Sequence, residues 1–449
     1  MLKIVLINIE NYLRKVLIDI NNFSGIIIAM INTDLLTAAL LEQRETFLTR
    51  SRGVSREIVP TLAKMLKAPQ VIVITGLRRV GKSTLLAQIA DAYLEDSFYF
   101  VNFEDERLLN FQADDFDLLQ ETLISLFGEK KTFLLDEIQN VPEWERFVRR
   151  LHDQGYKFIV TGSNASLLSQ ELGTRLTGRS IRVELFPFSF REFLQFRKIV
   201  PPNLTHLTAK QKGQLRKQAR EYLLIGGIPD ALKYPELNWH KTLYDDVLYR
   251  DIAARYKLDN TRSLQELAFY LCSNTASSIS FNKLKDWLKL GSGNTVKNYI
   301  TYLENSWLFA TINKYAHSVK EQQIAAKKIY GIDTGLLKSV GFAFSENKGR
   351  LLENAVFLRL RRNQQKIFYY KTAENYEVDF FLPEQKTFVQ AAWQLNSPAV
   401  LERELRALSS AVREQPQAKS CVIVTENIKQ IYQWDKLHIQ VVPLYEWLL

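Results

Sequence analysis

Residues 71–86 read Val-Ile-Val-Ile-Thr-Gly-Leu-Arg-Arg-Val-Gly-Lys-Ser-Thr-Leu-Leu. Val71 to Ile74 is a run of β-branched residues, whose stiff side chains favour a strand buried on both faces. The run gives way at Gly76, and Gly81 follows after four further residues. Thr84 to Ala90 then reads as helix. Strand, tight loop and helix in that order constrain the loop strongly. Its glycines let the backbone turn sharply and aim several N–H groups at one point. The helix directs its positive N-terminal end at the same point. The spacing G-x-x-x-x-G-K-[ST] is that of a loop cradling the phosphates of a nucleoside triphosphate. Gly76, Leu77, Arg78, Arg79, Val80, Gly81, Lys82, Ser83 and Thr84 are its expected residues. Lys82 is expected on the β- and γ-phosphates and the Ser83 hydroxyl on Mg²⁺.

A second segment answers the first. Phe133-Leu134-Leu135-Asp136-Glu137 is an apolar strand ending in two carboxylates. Such a pair also occurs as a solvated strand cap. Beside the P-loop, Asp136 reads as the residue that holds Mg²⁺ and Glu137 as the base that orients and deprotonates the attacking water. The strand Phe158–Thr161 ends in Gly162-Ser163-Asn164, where Ser163 either senses the γ-phosphate or caps the helix that follows. In the basic loop Gly173 to Arg179, Arg175 and Arg179 read either as arginine fingers for a neighbouring copy or as solvated or ion-paired side chains.

Length and composition set the frame. The chain has 449 residues, 46% apolar and 24% charged, as in soluble globular proteins. About three domains are expected at this length. A net charge of +10 is compatible with nucleic acid as a partner but equally with simple solubility. Cys272 and Cys421 sit in apolar runs with no disulfide or metal-ligand spacing, so a reducing, cytoplasmic setting is expected. No run reaches the ~18 apolar residues of a membrane span, so no membrane partner is expected. Residues 1–29 alternate apolar patches with Asn, Glu, Arg and Lys and lack a signal peptide's continuous core. They read as a weakly ordered extension or an upstream start, ahead of an amphipathic helix over 34–50.

The fold class is α/β. Strands at 70–75, 98–103, 132–136, 158–161 and 182–185, alternating with helices, predict a parallel P-loop sheet sandwiched by helices. Gly76, Asp136 and Ser163 all lie at carboxyl ends of strands, where such sheets bind ligands. The expected units are an extension and helix (1–54), the P-loop core (55–198), a helical lid (199–258), a winged-helix-like unit (259–345) and a C-terminal α/β unit (346–449). In the lid, Gly226-Gly227 breaks a helix ahead of Pro229, which either contacts the adenine or forms a plain interhelix turn. Helices at 280–288 and 294–303 around Gly291-Ser292-Gly293 read as helix-turn-helix, with 312–315 and 328–332 as wing strands. Asn294, Thr295, Lys297 and Asn298 on the second helix either read bases or belong to a spacer packed on the core. The last unit reads as a helix (351–362), strands at 367–371, 377–382 and 388–393, a helix (399–414) and strands at 420–425 and 440–442.

On Thr75–Thr84, Phe133–Asn140, Ile159–Ser163, Leu176–Arg179, Tyr222–Pro229, Tyr249–Arg255, Gly331–Leu337 and Glu377–Phe381, the chain resembles a large prokaryotic family of AAA-type P-loop ATPases with a C-terminal domain of unknown function. The resemblance spans 46–449. It implies ATP as the nucleotide and a nucleotide-driven switch or motor. The tail resembles the PD-(D/E)xK nuclease core in its order of elements. On that resemblance Glu353 and Asp379 match two acidic positions. Gln390 replaces the third acid, though its carbonyl can still offer an oxygen, and Ala392 replaces the lysine that activates water. A catalytically degenerate site is therefore expected, with phosphate contacts or a solvated face assigned to Arg359, Arg361 and Arg362. Alternatives kept open are a DNA- or RNA-binding regulator with ATP-gated affinity, an active Mg²⁺-dependent nuclease, and a protein scaffold. A homo-oligomer is the further partner that Arg175 and Arg179 suggest.

Overall fold

The structure, a computed structural model, describes residues 32–163, 176–258, 260–342, 348–435 and 437–449. The expectations for residues 1–29, Asn164 and Arg175 therefore lie outside the described residues. Among the described residues, no helix is long and apolar enough to cross a membrane.

Five parallel strands form the first sheet: β1 (Val71–Gly76), β2 (Phe98–Asn102), β3 (Thr132–Asp136), β4 (Lys157–Gly162) and β5 (Ser180–Leu185). Their order is β2-β3-β4-β1-β5, so β4 lies between the P-loop strand and the acidic strand. Every residue of β1 is buried, because both faces of the sheet are covered. Val71 and Val73 face one apolar core with Phe133, Trp144 and Leu36 of the N-terminal helix Thr33–Thr49. Ile72 and Ile74 face another, which runs on through Tyr222 of the lid to Leu448 near the C-terminus. One continuous core thus joins the sheet, the lid and the tail. Burial on this scale stabilises by roughly 25 cal/mol per Å² of apolar surface, which makes the contact between units a packed one.

The remaining strands are β6 (Ser277–Ile279), β7 (Phe309–Lys314), β8 (Lys327–Gly331), β9 (Phe368–Lys371), β10 (Glu377–Leu382), β11 (Thr387–Ala391), β12 (Ser420–Thr425), β13 (Gln430–Trp434) and β14 (Leu437–Pro443). They form one sheet in the order β13-β14-β12-β11-β10-β9-β7-β8-β6. The two strands expected as wings, β7 and β8, pair antiparallel. β7 also pairs in parallel with β9, Asn313 opposite Phe368. The sheet therefore crosses the boundary expected between residues 345 and 346. The expected helix pair is present as Phe281–Trp287 and Gly293–Asn305. β13 was not anticipated: only one of its five residues, Gln430 to Trp434, belongs to the strongly apolar aliphatic set, and none is fully buried.

Three elements interlock at one buried carboxylate. Asp333 caps the helix Thr334–Val340 by accepting from Leu336 N (2.9 Å) and also accepts from Gly227 N (2.6 Å). A Cβ on Gly226 would stand 2.0 Å from the Asp333 carboxylate. Gly227 O accepts from Phe188 N (2.7 Å), and Tyr222 donates its hydroxyl to Phe188 O (2.8 Å). The glycine pair is needed for this close approach of lid, core and tail.

Candidate active site

The P-loop closes as the sequence requires. Gly81 takes φ +97°, a left-handed conformation that glycine adopts without steric cost, and the helix Lys82–Ile89 starts directly after it. Lys82 is 5% exposed. Its ammonium contacts Gly76 O and Leu77 O (both 3.4 Å) and Glu137 Oε1 (3.1 Å).

The strand order explains how the acidic pair is held. β4 lies beside β3, so Thr161 stands next to Asp136. The Thr161 hydroxyl donates to Asp136 Oδ1 and accepts from Glu137 N (3.0 Å). Ser83 also hydrogen-bonds to Asp136. Burial and then the adjacent Glu137 push the Asp136 carboxyl above its ordinary value, against the pull of Ser83 and Thr161. Burial pushes Glu137 up too, but Lys82, Gln139 and Arg78 outweigh it and hold that carboxyl low. Ser163 contributes its backbone, donating N–H to Glu137 Oε2 (3.2 Å). Ser83 and Asp136 together offer the hard oxygen ligands that suit Mg²⁺, and a cation between them favours the ionised Asp136. The residues present fit the nucleotide and the metal.

Much of the pocket wall comes from residues that the motif itself leaves unassigned. Arg78 pairs with Glu104 (2.5 Å) and with Asp251 of the lid (3.3 Å). Burial works against the Arg78 charge, but Asp251, Glu104 and Glu137 raise its pKa overall. Arg79 lies 3.8 Å from both Asp230 and Asp246, with its guanidinium 4.8 Å from the Trp239 ring centre. The variable positions of the P-loop thus hold the lid. Arg250, Asp251 and Arg255 line one pocket with Arg78, Glu137 and Ser163. Arg255 Nη1 is buried and makes no hydrogen bond among the described residues. Thr161, Asp251 and Arg255 were not singled out one by one from the sequence, although Tyr249–Arg255 lay within the resemblance.

Other expected residues fall elsewhere. Pro229 opens the short helix Pro229–Lys233, whose next residue is the Asp230 that faces Arg79. Arg179 pairs with Asp153 (3.2 Å), and its carbonyl accepts from Val71 N (2.8 Å). It therefore sits at the amino end of β1, about 17 Å along the strand from the P-loop. The tail arginines neither form a solvated face nor stand free for phosphate. Arg361 pairs with Glu184 (3.1 Å), Arg362 donates to Phe188 O (3.2 Å) and Arg359 to Leu449 O (3.3 Å). Arg361 and Arg362 fasten the tail to the core, whereas Arg359 ties two parts of the tail together.

Glu353 and Asp379 do meet, but around Lys328 of β8 (2.7 and 3.1 Å). Gln390 is not free to offer its carbonyl to a metal. Its Oε1 accepts from Asp379 N (3.0 Å) and its Nε2 donates to Glu404 (2.8 Å). Ala392 is buried in the apolar core of the tail.

Residues 68–194 match the family described as AAA domain. Residues 216–347 and 348–447 match two domains of unknown function (DUF8612 and DUF4143). The chain is 33% identical over 417 residues to the uncharacterized protein MJ1544 of Methanocaldococcus jannaschii, covering 89% of this chain and 91% of that protein. It is 30% identical over 340 residues to an uncharacterized protein of Haemophilus influenzae, covering 72% and 82%. A Walker-type ATPase of Pyrococcus abyssi is a structural match at 15% identity and a TM-score of 0.40, covering 66% of this chain and 99% of that one.

Proposed function

The chain belongs to a prokaryotic family of AAA-type P-loop ATPases with C-terminal domains of unknown function, and on that premise we propose that it is an ATP-driven switch whose lid responds to the phosphate loop. The observation that carries this reading is the pair of contacts from adjacent P-loop residues to the lid, Arg78 to Asp251 and Arg79 to Asp230 and Asp246. A loop that must grip phosphate is also the loop that grips the lid.

On this reading each residue takes a role that the geometry supports. Backbone N–H groups of residues 76–84 receive the phosphates, and Lys82 exchanges its carbonyl contacts for phosphate oxygens. Ser83 and Asp136 hold Mg²⁺, which when bound offsets the charge that develops on the phosphates. Glu137, kept ionised, accepts the proton of the attacking water. Thr161 fixes both carboxylates by bonding Asp136 and the Glu137 backbone. Arg255 supplies positive charge from the lid side.

Hydrogen exchange over residues 247–258, with and without a non-hydrolysable ATP analogue, tests the switch. Nucleotide changes protection there in the wild type, and Arg78→Ala reduces the change. Equal protection with and without nucleotide in the wild type would remove the proposal.

A second reading concerns nucleic acid. Asn294, Lys297 and Asn298 are exposed on one face of the helix Gly293–Asn305, as a groove-entering helix requires. A salt-dependent gel shift lost in Lys297→Ala supports it, and no shift at low salt removes it.

A further inference from the structure

Carboxylates of the tail converge on a lysine from outside it. Lys328 lies on β8 and is 2% exposed. Its ammonium meets Glu353 on the helix Lys348–Arg362 and both Glu377 (2.9 Å) and Asp379 on β10. Two further hydrogen bonds hold the acids. Tyr330 donates its hydroxyl to Glu353 Oε1 (2.8 Å), and Ala391 N donates to Asp379 Oδ2 (2.9 Å). Glu353 and Asp379 are both largely buried. Two carboxylates in one buried site cannot both ionise without a cation between them. In many proteins a divalent ion fills that need, with oxygens at about 2.0–2.6 Å. Here the oxygens stand at hydrogen-bonding distance around nitrogen instead. Among the described residues, these acids form no group of three arranged to hold a metal.

We infer that Lys328 is the built-in cation of this site: its ammonium occupies the place of a divalent ion between Glu353 and Asp379, which makes the site independent of metal and clamps β8 to the tail. Three observations agree. The lysine comes from a different strand than the acids, so the ion pairs link units that the chain connects only through residues 332–347. Gln390, another polar side chain beside the site, is turned to Asp379 N and Glu404. Lys328, Glu353 and Asp379 are all buried, at most 9% exposed, which screens this part of the site from solvent. The tail is then a strut that carries motion of the lid junction at Asp333, two residues beyond β8, into the C-terminal sheet.

Thermal unfolding of the nucleotide-free full chain tests this, with Ser83→Ala in every variant to silence the P-loop metal site. The parent melts at the same temperature in EDTA and in millimolar Mn²⁺. Lys328→Ala melts several degrees lower in EDTA and regains much of the loss in Mn²⁺, because the uncovered acids accept the ion. Adding Asp379→Asn to Lys328→Ala abolishes the Mn²⁺ response. A parent that is itself stabilised by Mn²⁺ through Asp379 would overturn the inference, as would a folded Lys328→Ala with no Mn²⁺ response. Should Lys328→Ala not fold, Lys328→Met with Glu353→Met removes charge and countercharge together. That double variant folds if the lysine serves as counter-ion; its failure would also count against the inference.

Discussion

The ammonium of Lys82 lies 3.1 Å from the Glu137 carboxylate. The residue expected to bind phosphate and the residue expected to activate water hold each other. On the proposed roles, a phosphate that draws Lys82 away would free Glu137 for its proton and so tie activation of the base to arrival of the nucleotide.

This pair separates binding from chemistry. Lys82→Ala is expected to abolish ATP binding in calorimetry. Glu137→Gln is expected to bind ATP within a few-fold of wild type while kcat falls by about 10²–10⁴. Wild-type turnover in Glu137→Gln would remove it as the base.

Arg255 carries a buried Nη1 that makes no hydrogen bond among the described residues, in the pocket shared with Glu137. Arg255→Ala is expected to lower kcat by at least about tenfold, as loss of one charge-stabilising donor does. ADP affinity should hold within about twofold, since the effect belongs to the transferred phosphate. An equal loss of ADP and ATP affinity with unchanged kcat would show that Arg255 only shapes the pocket.

Arg56 is buried and bridges three segments. It donates to Val80 O of the P-loop (3.0 Å), to Phe186 O after β5 (2.6 Å) and to Glu192 (3.0 Å). Burial, and less strongly the nearby Arg362 charge, lowers its pKa against the pull of Glu192. Arg56→Ala leaves Glu192 buried without its partner and is expected to cost about 3–5 kcal/mol. Denaturant unfolding measures this; a change below about 1 kcal/mol would mean that the bridge is not structural.

Asp105 fastens the N-terminal helix, accepting from Gln43 (2.9 Å) and from Arg107. The Arg107 hydrogen bonds hold its carboxyl at about 2, below the ordinary 3.8. The folded pKa is the lower one, so this contribution is complete above about pH 4 and is lost as pH falls toward 2. Solvent screening keeps it small. Urea midpoints at about pH 5 and about pH 3 should differ less in Asp105→Asn than in wild type; equal differences would deny the linkage.

The P-loop and the acidic strand could be read directly because their chemistry is local. Gly76, Gly81, Lys82 and Ser83 lie within eight residues, and a strand that ends in Asp136-Glu137 announces itself. The C-terminal helices at 351–362 and 399–414 and the strands other than β13 were also legible from their apolar patterns. The tail arginines were not. Arg359, Arg361 and Arg362 look alike in sequence, and only packing against Glu184, Phe188 and Leu449 shows that each is taken.

The sequence by itself determined a phosphate-binding loop, an acidic pair at a strand end and a tail without its own lysine at position 392. Tertiary structure alone decided which distant charges complete them. Thr161 reaches Asp136 because β4 inserts beside β3. Arg78 reaches Asp251 across 173 residues, and Lys328 reaches Glu353 and Asp379 from β8, which β7 and β9 separate from β10 in the sheet. A covalent neighbour is fixed by bond geometry, whereas a charge partner is fixed by where burial forces two chain segments together. No local pattern in the chain records that meeting.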